Sequence, residues 1–83
     1  MSVQEYTARH RAMLQAVAEG RAELLGGRVP SLSVDGLWCD FTATNDLYAA
    51  GLVAAASRSG AGARVPAVLT STGRQVLVTL AAA

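Results

Sequence analysis

The chain has 83 residues, and a domain of this size hides only about 60–65% of its unfolded surface. It is 52% hydrophobic and 16% charged, the latter well under the ~25% usual in soluble domains, so apolar surface in excess of one small core points to an oligomer or a subunit of an assembly. Its formal charge of +1 excludes a nucleic-acid footprint set by composition alone.

The N-terminal MSVQEYTARHR has no apolar core behind it of the signal-peptide kind. The longest apolar run, residues 47–56, falls far short of the ~18–20 residues that cross a bilayer, so no membrane partner is expected and a cytoplasmic setting is the default. Ser2 followed by Glu5 forms a capping box that starts a helix near Val3. Val3, Tyr6, Met13, Val17 and Leu24, with His10 and Gly20 in the intervening slots and Leu14 and Leu25 beside them, make one amphipathic stripe. This predicts a single helix of about six turns, ended by Gly26 and Gly27, with Glu5 and Arg9 at favourable i,i+4 spacing. His10, on the stripe with no second histidine, reads as a structural residue. Gly20 reads as an interruption costing about 1 kcal/mol or as a close backbone approach by a partner.

Asp35 and Gly36 then supply the two-residue loop of a type I′ hairpin, where both positions need positive φ. Counting outward pairs Val34 with Leu37, Leu32 with Cys39 and Pro30 with Phe41 on an apolar face, and Ser33 with Trp38 and Ser31 with Asp40 on a polar one. Cys39, the sole cysteine, has no disulfide partner in the chain and reads as a small core residue. Trp38 stands on the polar face and needs cover, from the chain's own C-terminal segment or from a neighbouring subunit.

A second helix is expected from Thr44 or Asn45, with Asp46 in its first turn and Leu47, Tyr48, Gly51, Leu52 and Ala55 at helical spacing as far as Arg58. SRSGAGAR, residues 57–64, is a connection; its glycines do not make a phosphate loop, because no Lys-Ser or Lys-Thr follows and the segment leaves a helix instead of opening one. The tail reads as a second hairpin turning near Thr72 and Gly73, with Val65, Val68, Leu69, Val76, Leu77, Val78 and Leu80 apolar on both faces. Such a hairpin must be covered, by the core, by the first sheet or by another chain. Arg28-Val29-Pro30 recurs as Arg64-Val65-Pro66, a two-copy similarity too short to define a repeat architecture.

Gly27, Arg28 and Val29, then Asp35 and Gly36, then Phe41, Thr42, Ala43 and Thr44, then Asp46 and Leu47 form a run that resembles the lambda-type phage head-to-tail joining (head completion) protein W family. The resemblance implies a helix, hairpin, helix body that forms a ring between portal and tail. Two features depart from it: the first helix is longer, and an apolar tail hairpin stands where the family carries a basic tail.

These readings give an α+β chain: long N-terminal helix, β-hairpin, second helix, C-terminal β-hairpin. Residues 1–59 make the body, and residues 60–83 make a link and hairpin arm of the same domain. The expected role is structural and non-enzymatic, without cofactor or metal, in a homo-oligomer whose interface includes Trp38, Val68, Leu77 and Leu80. By the resemblance, its further partners are the portal and tail-side neck proteins, its place is the virion neck after assembly in the host cytoplasm, and Arg28, Arg58, Arg64 and Arg74 contact DNA nonspecifically in the lumen. The alternatives are a small DNA-binding or antitoxin-like dimer, marked by a basic stripe, and a capsid decoration protein with the tail hairpin as its arm. Tyr6, His10 and Asp46 are the acid-base candidates for an enzyme, with nothing in the sequence to bring them together.

Overall fold

A computed structural model describes residues 6–26, 29–57 and 63–82. Three helices and five strands run in the order α1 (Ala8–Ala18), β1 (Ala22–Leu25), β2 (Ser31–Val34), β3 (Leu37–Trp38), α2 (Phe41–Ala49), β4 (Val53–Ala55), β5 (Arg64–Leu69) and α3 (Ser71–Ala82). The α+β class holds, and the strands form one antiparallel sheet in the order β3-β2-β1-β5-β4.

The first helix is shorter than its apolar stripe predicts. Thr7 caps it in a reciprocal box with His10, while the Ser2–Glu5 box, Glu5 of the pair with Arg9, and Gly27 lie outside the described residues. The helix stops because Gly20 adopts φ +79°. Its N–H donates to the Val17 carbonyl and that of Arg21 to Ala16, the pair of bonds that closes a Schellman end. Among the described residues no atom outside its immediate neighbours lies within 4 Å of a Cβ built on Gly20, and Gly20 ends the helix instead of interrupting it. The stripe's last residues, Leu24 and Leu25, belong to β1 instead.

α2 ends by the same device. Gly51, at φ +73°, donates to Tyr48, and Leu52 donates to Leu47, so the chain turns into β4 where the sequence predicts more helix. α2 also begins three residues earlier than expected, at Phe41. Asp40 caps it by accepting from the Ala43 N–H at 2.9 Å. Cys39 still donates to the Leu32 carbonyl, but the chain then leaves the hairpin, so Phe41 sits at the first helical position, 58% exposed, and does not pair with Pro30.

The hairpin turn is as the sequence predicts. Asp35 and Gly36 both have positive φ, and Val34 pairs with Leu37 and Ser33 with Trp38. Leu32 is buried, whereas Leu37 at the sheet edge is exposed and does not join the core.

The expected C-terminal hairpin is a strand followed by a helix. Thr70 accepts from the Gly73 N–H through its hydroxyl and starts α3, whose Gly73, Val76, Leu77 and Leu80 face inward at helical spacing. β5 runs between β1 and β4, so the tail is part of the sheet interior and not an arm. Pro66 is tolerated there because its carbonyl accepts from Ala56, which places its missing N–H where the β4 ladder ends.

The core lies between the helices and one sheet face. Leu14, Leu24, Leu32, Leu47 and Leu52 are fully buried in it, and truncating any of them to Ala removes about 2–5 kcal/mol. Among the described residues no helix is long and apolar enough to cross a membrane.

Candidate functional site

Strand pairing assigns every sheet residue to a face. Ala22, Leu24, Leu32, Val53, Ala67 and Leu69 share one face and are buried. Their neighbours in the core cluster are Met13, Leu14 and Val17 of α1, Ala43 and Leu47 of α2, and Leu77 of α3, so all three helices cover that side. The opposite face carries Trp38, Ser33, Glu23 and Pro66 in one cross-strand row and Ser31, Leu25 and Arg64 in the next. Ala54 and Val68 pair in a third row. Among the described residues the buried contacts of the helices all belong to the other face, and only Val68, at the end of this one, borders a depression with Val17, Ala18 and Leu77.

Trp38 is the largest group on it, 55% exposed. The Arg64 guanidinium carbon lies 5.6 Å from the centroid of its ring. The two residues stand on strands separated by β2 and β1, so their side chains reach toward each other across the middle of the sheet. A cation–π contact of this exposed kind contributes about 0.5–1 kcal/mol. Cover for Trp38 therefore comes in part from the C-terminal segment of its own chain. Ser33, directly opposite Trp38, is buried, and its hydroxyl has no hydrogen-bond partner among the described residues.

The charges of this face are disposed unequally. Arg21, just before β1, bonds to Asp35 at 2.6 Å and to Glu19 at 2.9 Å. The hydrogen bond to Asp35, more than the one to Glu19, raises the arginine pKa, and bonds from Gln15 first and Arg21 second lower that of Glu19. Glu23 and Arg64 make no ion pair among the described residues.

The residues expected at an interface thus separate. Trp38 and Val68 are exposed on the open face, whereas Leu77 is buried in the core of its own chain and Leu80 is half-buried against it. Of the arginines expected to meet DNA, Arg64 lies on the open face and Arg74 on α3, in the helical layer behind it. Arg28 and Arg58 lie outside the described residues.

A second cluster joins residues the sequence leaves apart. His10 Nε2 lies 3.0 Å from Asp46 Oδ2, and Tyr6 meets the imidazole edge to face at 5.4 Å. The Thr7 backbone N–H donates to His10 Nδ1 at 2.9 Å, so Nδ1 is the acceptor and Nε2 carries the hydrogen donated to Asp46. Open depressions of about 420 and 390 Å³ flank Asp46, but both ring nitrogens already have protein partners. The His10–Asp46 contact joins α1 to α2. Among the described residues no three His, Cys, Asp or Glu gather as a metal site.

A scan of protein-family models finds no match, and searches of curated proteins and of solved structures find none either.

Proposed function

We propose that this chain is a non-catalytic structural protein that works as a homo-oligomer. The observation that carries the reading is the uncovered sheet face: three helices pack on one side of five strands and leave Trp38, braced by Arg64, on the other. Trp and Arg are the side chains that most often dominate interface energies, and an exposed patch of this kind marks an interaction site.

The specific role proposed is head-to-tail joining in a tailed phage: a ring at the virion neck, between portal and tail-side neck proteins, with the DNA passing through it held only by nonspecific phosphate contacts. The run from Gly27 to Leu47, with its hairpin between two helices, supports this role. The open face supports the self-association. Native mass spectrometry and electron microscopy of the purified protein test both, with a closed ring or multimer expected. A particle that stays monomeric at every concentration would remove the oligomer and the neck role together. A stable dimer with no ring would retain self-association and remove the neck role.

A further inference from the structure

Glu23 and Arg64 are the two charges of the open face without an ionic partner among the described residues. They stand on adjacent strands, Glu23 opposite Pro66 and Arg64 two residues before it. Strand spacing and rise put their Cα atoms about 8 Å apart on one surface. We infer that the occupant of this face is the same face of a second copy, related by a two-fold axis, with Glu23 of each copy paired to Arg64 of the other and Trp38 enclosed between them. This rests on the self-association proposed above and names its partner and its contact; an isologous contact closes on itself, so a ring requires a second, heterologous contact elsewhere on the chain.

A two-fold axis lying in the interface above the midpoint of the two residues, perpendicular to the line joining them, sets Glu23 of each copy opposite Arg64 of the other, so a single axis satisfies both pairs at once. Charge selects the occupant. Arg64 balances Glu23 on the face itself, and Arg21 beside it is already held by Asp35 and Glu19, so the face has no net attraction for polyphosphate or an anionic lipid surface. An apolar partner would enclose the Glu23 carboxylate without a cation, which costs more than the contact returns. A second copy brings the missing cation at the required place and takes the local carboxylate in exchange. Arg64 already lies across the sheet toward Trp38, so part of its ordering entropy is spent before the copies meet.

Charge exchange tests this directly. Glu23→Arg places like charges opposite each other in both pairs, and so does Arg64→Glu. Each variant alone is expected to weaken self-association at least about tenfold, with far-UV circular dichroism unchanged because both sites are exposed. An equimolar mixture of the two variants restores one native and one reversed pair. It should recover near wild-type affinity as a heterodimer, whose mass in native mass spectrometry is the sum of two different chains. Variants that associate as tightly as wild type, or a mixture as weak as its components, would overturn the pairing while leaving self-association standing. A wild-type chain that is itself monomeric throughout would overturn both.

Discussion

His10 sits where two kinds of contact meet: it closes the cap of α1 through Nδ1 and holds Asp46 of α2 through Nε2. Only 7% exposed, it leaves the Thr7 amide and the Asp46 carboxylate short of a partner when removed. His10→Ala is expected to cost about 1–3 kcal/mol in urea unfolding. His10→Gln should recover part of this, since Gln at this position can bond back to the cap amide but does not duplicate the reach to Asp46. The structural role of His10 was legible from its place on an apolar stripe. Its partner was not, because no local pattern joins residue 10 to residue 46. Cys39 offers a second check at this scale. Burial pushes its thiol pKa up, so labelling by a thiol reagent at pH 8 should run several-fold slower in the folded chain than in denaturant, and equal rates would show the site to be open.

The elements differ in how plainly the sequence shows them. The β2–β3 hairpin was legible because Asp35-Gly36 specifies its turn from two adjacent residues, and register follows by counting. β1 was hidden inside a helical stripe. Leu24 continues the spacing of Val17, and only the left-handed conformation at Gly20 separates them. α3 was hidden by composition, since Val76, Val78 and Thr79 favour strands; Thr70 as cap and the inward spacing of Gly73, Leu77 and Leu80 were the signals that pointed to a helix. Thr70 is the joint of this region. Its hydroxyl donates to the Gly51 carbonyl at 2.6 Å and accepts from Gly73 at 3.0 Å, and its amide donates to Leu52. Thr70→Val keeps the shape and removes both hydroxyl bonds, for an expected loss of about 1–2 kcal/mol by urea titration. Gly73 is fixed for a different reason: a Cβ there would overlap the Leu52 carbonyl. Gly73→Ala should lower Tm by on the order of 10 °C, although Ala is the better helix former in isolation. A Tm at or above wild type would mean that α3 lies farther from β4 than described.

At the scale of the molecule, the sheet order decides what the C-terminal third does. The sequence shows an α+β chain with a second, apolar β segment that needs cover, and it does not show where that segment inserts. β5 enters between β1 and β4, pairing with Leu24 on one side and Val53 on the other. A chain ending after Ser59 therefore loses the interior of its sheet. Its far-UV circular dichroism should show an unfolded chain and not a folded body lacking an arm; a folded truncation would contradict the strand order.

The same insertion governs when the protein can fold. β4 has no sheet partner until β5 has been made, and β1 waits with one edge unpaired through the synthesis of everything between them. Closing these distant contacts costs loop entropy before any contact repays it. The N-terminal half thus spends the period of its own translation with an open strand edge, which is the state most prone to pairing with other nascent chains. Production of the protein should accordingly depend on how fast the last segment follows the first, and slower codons between residues 56 and 69 are expected to raise its insoluble fraction without altering a single residue.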